Sequence, residues 1–91
     1  MRYWETDYKG HRIRVENELF TERLIIDGVL QDTGKGPASR RTLNGKVADA
    51  SGSTEPVAAE LAEGRDEAAA CRISVSGHVV YSSPNARNSG G

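Results

Sequence analysis

The pair Asp27-Gly28 lies between two short apolar runs, Leu24-Ile25-Ile26 and Val29-Leu30. Aspartate and glycine accept positive φ at both central positions of a two-residue turn, the geometry that matches the twist of two antiparallel strands. The pair therefore predicts the tip of a β-hairpin in which Ile26 opposes Val29. Side chains alternate along a strand, so Leu24, Ile26 and Val29 fall on one face, with Ile25 and Leu30 on the other. Apolar residues on both faces near a turn must either be covered twice or form an exposed patch.

The same grammar recurs along the chain. In the run His11-Arg12-Ile13-Arg14-Val15-Glu16, apolar and charged residues alternate as in a strand with one wet face. Lys9-Gly10 joins it to Tyr3-Trp4-Glu5-Thr6-Asp7-Tyr8, so that Tyr8 opposes His11, Thr6 opposes Ile13 and Trp4 opposes Val15. Asp32 to Pro37 reads as a loop by composition. Asn44-Gly45 reads as a further turn, either a small hairpin or a bulge within one strand. Near the C-terminus Arg72-Ile73-Ser74-Val75 turns through Ser76-Gly77-His78 and returns as Val79-Val80-Tyr81. A three-residue loop there places Val79 and Tyr81 beside Cys71, Ile73 and Val75. A two-residue loop places Val80 there instead. This stretch echoes Arg23 to Val29, as expected of two similar hairpins facing each other in a sandwich. Ser83 to Gly91 reads as a flexible polar tail after a single β domain of residues 1–82.

Residues 55–71 carry two conflicting signals. Glu55 to Glu63 and Glu67 to Ala70 are rich in helix formers, with Thr54 as an N-cap and Pro56 in a first turn. Against a helix, Gly64 breaks the run, and Val57, Ala59 and Leu61 alternate as in a strand. A helix near 55–71 would make the fold α+β; strands would make it all-β.

Composition narrows the functions. A chain of 91 residues buries only about 60–65% of its unfolded surface, so its core is modest. A net charge of −1, from 12 basic and 13 acidic residues, argues against duplex nucleic acid and against a polybasic membrane anchor. The lone Cys71 rules out an internal disulfide and suits a reducing compartment. The first residues carry no apolar run of signal-peptide length, and no stretch is long enough to span a bilayer, so a cytoplasmic location is expected.

No motif carries catalytic or cofactor chemistry. Gly34-Lys35-Gly36 has the wrong spacing for a phosphate loop, with glycine where the metal-binding hydroxyl should stand. Cys71 extends the apolar face of Ile73 and Val75 and reads as core; a small cysteine-dependent enzyme would need it beside His11 or His78. The two histidines are far apart and make no zinc site. Both fall beside predicted turns, where an exposed histidine needs no special role. Glu60, Glu63, Asp66 and Glu67 read as a solvated run, and Lys35, Arg40, Arg41 and Lys46 as a solvated basic face without interleaved aromatics. The terminal Gly90-Gly91 is the ending that ubiquitin-like modifiers and sulfur carriers use, since side chains would block a narrow adenylating site. The helix-like stretch, however, comes too late in the chain for a β-grasp carrier.

The run His11 to Asn17, a short gap, and Arg23 to Val29 ending in Asp-Gly resembles a repeating element of the Fas apoptosis inhibitory molecule family, and is similar to small uncharacterised bacterial β-domains. The resemblance implies a non-catalytic intracellular β-sandwich with strands across residues 57–75. It covers strand and turn positions only, so no functional residue carries over. The expected protein is thus an antiparallel β-sandwich of about seven or eight short strands, a non-enzymatic module without cofactor or metal that binds a protein. Phe20, Ile25, Leu30 and Tyr8 are its candidate surface, because aromatics are favoured at interfaces and Leu19-Phe20 lies in a predicted loop.

Overall fold

The computed structural model describes residues 1–18, 21–36, 40–62 and 70–83, and the backbone of 87 and 88. Nine strands occur among them: β1 (Arg2–Tyr8), β2 (His11–Glu18), β3 (Thr21–Ile26), β4 (Val29–Lys35), β5 (Arg40–Ala48), β6 (Thr54–Ala62), β7 (Ala70–Val75), β8 (His78–Ser83) and the two-residue β9 (Arg87–Asn88). They form two antiparallel sheets, ordered β4-β3-β2-β1-β9 and β5-β6-β7-β8. The fold is an all-β sandwich of two successive meanders. Of the predicted tail, Ser83 ends β8, and Arg87 and Asn88 pair with Tyr3 and Arg2.

The first hairpin has the expected register, with Tyr8 opposite His11, Thr6 opposite Ile13 and Trp4 opposite Val15. Three turns use a non-glycine followed by glycine, both at positive φ: Lys9-Gly10, Asp27-Gly28 and Ser76-Gly77. The last is therefore a two-residue turn, and Val75 pairs with His78. A bulge at Val80 then restores Tyr81 opposite Ile73, so Val80 and Tyr81 both lean on the core while Val79 stays exposed.

The echo between the two hairpins extends to this bulge. In β3–β4, Ile26 pairs with Val29 and Ile25 with Leu30; Gln31 is passed over, and Leu24 pairs with Asp32. In β7–β8, Val75 pairs with His78 and Ser74 with Val79; Val80 is passed over, and Ile73 pairs with Tyr81. The hairpins lie in opposite sheets.

Residues 54–62 are strand, which removes the α+β alternative over that span; 63–69 lie outside the described residues. Val57, Ala59 and Leu61 are buried, and their alternate neighbours face outward. A helix would turn Ala59 to the side opposite Val57 and Leu61, whereas a strand keeps all three on one face, so burial of that face overrides helix propensity. Pro56 is accommodated near the start of β6, where its carbonyl accepts the Ser76 N–H at 2.9 Å.

Two loop expectations are corrected. Asp32 to Lys35 belong to β4, and Gly36, at φ 89°, follows it. Asn44-Gly45 is neither hairpin nor bulge but mid-strand: β5 pairs with β6 without interruption from Arg40–Ala62 to Ala48–Thr54. The reversal comes at 49–53, where the Asp49 carboxylate accepts the Ser51 and Ser53 N–H groups, each at 2.9 Å. Gly45 faces inward with Leu43 and Val47, and a Cβ there would come within 3.0 Å of Gln31 Cβ and 3.1 Å of Leu24 Cδ2. The glycine is needed for close approach between the sheets, not for a turn.

The core joins Trp4, Ile13, Val15, Leu24 and Ile26 of one sheet to Leu43, Val47, Val57, Ala59, Leu61, Cys71, Ile73 and Val75 of the other. Val29 does not join it: at the tip of an edge hairpin it is 60% exposed. Polar groups close the seam between β4 and β5. Asp32 accepts the Asn44 N–H at 2.9 Å. Arg41 is not part of a solvated face: its Nε pairs with buried Glu22, and its Nη2 donates to the Lys35 and Gly36 carbonyls, each at 2.9 Å. Gly34, opposite Glu22, leaves room for that guanidinium, since any Cβ would collide with it.

Two stability predictions follow from this seam, both read by urea unfolding. Gly45→Val should cost about 2 kcal/mol through overpacking. Glu22→Leu should cost about 3 kcal/mol by leaving the Arg41 charge without its carboxylate, with most of that recovered in the Glu22→Leu/Arg41→Met double variant.

Candidate functional site

In a meander the odd-to-even turns share one end, so all four hairpin turns meet at one end of the sandwich. A polar cluster occupies that end. Tyr8 donates its hydroxyl to Glu55, with both carboxylate oxygens at 3.2 Å, and Ser76 donates to the same carboxylate at 3.1 Å. Lys9 lies 3.8 Å from Glu55 and stacks over the Tyr8 ring at 5.3 Å. The hydrogen bond to Tyr8 and the charge of Glu55 raise the Lys9 pKa above its ordinary value. Beside them the His11 ring lies 2.6 Å from Asp27 through Nδ1 and 2.6 Å from the Ala48 carbonyl through Nε2. Asp27 also accepts the Arg12 N–H, so it does more than shape its turn. A recess of about 560 Å³ opens here between Tyr8, Val47 and Ala48.

The outer face of the first sheet is a lattice of compensated charges. Arg14 bridges Glu5 at 2.9 Å and Glu16 at 2.8 Å and stacks over Tyr3 at 4.1 Å, while Arg12 meets Asp7 at 2.6 Å. Such cross-strand pairs contribute roughly 0.2–1 kcal/mol each. The row Glu5–Arg14–Ile25–Leu30 starts charged and ends apolar at the β3–β4 hairpin. Leu30 is 54% exposed and Ile25 half-buried, and Val29, next to the turn on the other face and paired with Ile26, is exposed as well.

Of the predicted surface residues, Ile25 and Leu30 come together as a cross-strand pair. Tyr8 does not join them; it is half-buried against the core and tied to Glu55. Phe20 lies outside the described residues, as do Gly90 and Gly91. Cys71 is buried at the far end of β7, and loss of water pushes its thiol pKa up to about 12. His78 pairs with Val75, four residues along β7, or roughly 13 Å at strand rise, and His11 is in the other sheet. Neither imidazole is placed to activate the thiol. Among the described residues no group of three or more histidines, cysteines and carboxylates is placed to hold a metal, and no helix is long and apolar enough to cross a membrane.

The role of His11 was missed because it depends on Ala48, 37 residues away at the end of β5, in the other sheet. Its placement directly after the Lys9-Gly10 turn was the only local signal.

Comparison with protein-family models, curated proteins and solved structures finds no match to this chain.

At pH 8 a thiol with a pKa near 12 is ionised to only about one part in ten thousand. Native protein should therefore resist iodoacetamide at Cys71 and react fully in urea, as read by intact mass. Rapid native alkylation would restore a reactive cysteine.

Proposed function

We propose that this protein is a non-enzymatic binding module that meets a protein partner through the tip and outer face of its β3–β4 hairpin. The supporting observation is the contrast between its two equivalent hairpins. At matching positions β3–β4 carries Ile25, Val29 and Leu30, whereas β7–β8 carries Ser74, His78 and Val79. The turn and bulge thus form without a fully apolar tip. The extra apolar side chains contribute little to the core, since Val29 and Leu30 remain more than half exposed. Burying such groups against a partner returns about 25 cal/mol per Å² of apolar surface, and the neighbouring charged lattice would supply a polar rim. The raised thiol pKa and buried position of Cys71 weigh against thiol chemistry. The resemblance of residues 11–29 to the Fas apoptosis inhibitory molecule family favours the same non-catalytic, intracellular reading.

The test is affinity capture with crosslinking mass spectrometry, comparing wild type, Val29→Ser/Leu30→Ser and Val79→Ser. The double variant should keep its unfolding midpoint and weaken capture about tenfold or more, while Val79→Ser captures normally. Equal capture by all three would remove the hairpin as the binding surface.

A further inference from the structure

His11 stands apart from every other polar group at the turn end because both of its ring nitrogens face acceptors. Asp27 Oδ2 lies 2.6 Å from Nδ1 and the Ala48 carbonyl oxygen lies 2.6 Å from Nε2. An ionised carboxylate and a carbonyl carry no proton to donate, and a neutral imidazole carries only one. Both contacts can be hydrogen bonds only when the ring is an imidazolium.

The two partners are not held equally well. Asp27 is fixed without His11: its Oδ1 accepts the Arg12 N–H at 2.9 Å, and its own N–H donates to the Arg12 carbonyl at 2.9 Å. Ala48 is the last residue of β5 and pairs with Thr54 inside its own sheet, and the 49–53 reversal directly after it is hydrogen-bonded within itself through Asp49. A neutral ring would keep its one proton on Nδ1, facing the negative carboxylate. Its Nε2 lone pair would then oppose the Ala48 oxygen at a distance that suits only a hydrogen bond.

We propose that His11 is a proton-operated clamp: charged, it ties the end of β5 in one sheet to the β3–β4 turn in the other, and on losing its proton it releases that end of β5. Ala48 forms one wall of the recess beside Tyr8 and Val47, so release opens that end of the sandwich.

The surrounding charges leave the window to His11. Asp27 faces it from the β3–β4 turn; Tyr8, Lys9, Asp49 and Glu55 line the same recess, with Tyr8 directly opposite His11 on β1, while Arg12 is engaged by Asp7. Hydrogen bonds hold Asp27 and Asp49 below the ordinary carboxylate value of 3.8, and Lys9 is held above 10.5. The hydrogen bond with Asp27, and after it the one with Ala48, raises the His11 pKa above 6.5. A raised folded-state pKa gives stabilisation that is complete below 6.5 and fades as pH climbs through the folded value. The lowered Asp27 acts in the opposite sense: its contribution is present above 3.8 and fades as pH falls through its folded value. The clamp is thus strongest in the mildly acidic range between them.

The test is an NMR titration from about pH 5 to 9 on the His78→Gln protein, which leaves His11 as its one imidazole. Ring ¹⁵N shifts should show both His11 nitrogens protonated at the acid end and only Nδ1 protonated at the basic end, with a midpoint above 6.5. NOEs between the His11 ring and Ala48 should disappear with that midpoint, while those between the ring and Asp27 persist. In His11→Gln/His78→Gln no transition should remain near that midpoint. A midpoint at or below 6.5, or Ala48 NOEs unchanged across it, would overturn the clamp. The single-histidine protein decides this even if the His11 variant folds poorly.

Discussion

Each sheet has one face that must leave water, and only the other sheet can cover it. Trp4, Val15 and Leu24 form one inward row, and Thr6, Ile13 and Ile26 the next. Leu43, Ala59 and Ile73, with Gly45, Val57 and Val75, form the matching rows of the second sheet. A slip of one residue in any pairing would turn a whole strand's apolar set outward. Glycine turns set the register locally, and mutual burial makes alternatives costly. The rows are unequal in volume: the first sheet contributes the large Trp4 and Leu24, whereas the second contributes the small Ala59 and Gly45, and Gly45 lies against Leu24.

That arrangement leaves a problem at the edges. Strands β4 and β5 each end a sheet, and unpaired edge groups invite association with other chains. Here polar side chains satisfy part of the edge: Asp32 takes a β5 amide, and Arg41 reaches the carbonyls of Lys35 and Gly36. The Glu22–Arg41 pair sets a charge against a charge where an apolar pair could have packed. Its gain lies in tying two sheets at a seam that backbone hydrogen bonds cannot cross.

The meander also concentrates chemistry at one end. Turns from both sheets converge there, so residues far apart in sequence share hydrogen bonds, as Tyr8 does with Glu55 and His11 with Ala48. The apolar tip of β3–β4 lies at this end too, directly after the Asp27 that His11 grips. The proposed binding surface and the titratable contact thus meet at one turn.

Whereas at 57–61 alternation competed with helix propensity and burial of one face decided for strand, the hairpins at Lys9-Gly10 and Asp27-Gly28, and strand character at 71–75, were legible in the sequence. They depend on period-two alternation and on residues that tolerate positive φ, both of which are local properties. The outward-facing Ile25–Leu30 pair was legible for the same reason, since alternation alone places it opposite the core face. What the sequence could not reveal was which glycines turn the chain and which admit a neighbour: Gly28 has φ 80°, whereas Gly45 and Gly34 lie in strands and make room for Leu24 and Arg41. Nor could it show that Val29 stays outside the core, that Arg41 is drawn inward by Glu22, or that His11 reaches Ala48. Alternation and turn chemistry act between neighbours in the chain and are written there. Close approach, ion pairing and shared protons act between groups in space, and only the packing of one sheet on the other brings those groups together.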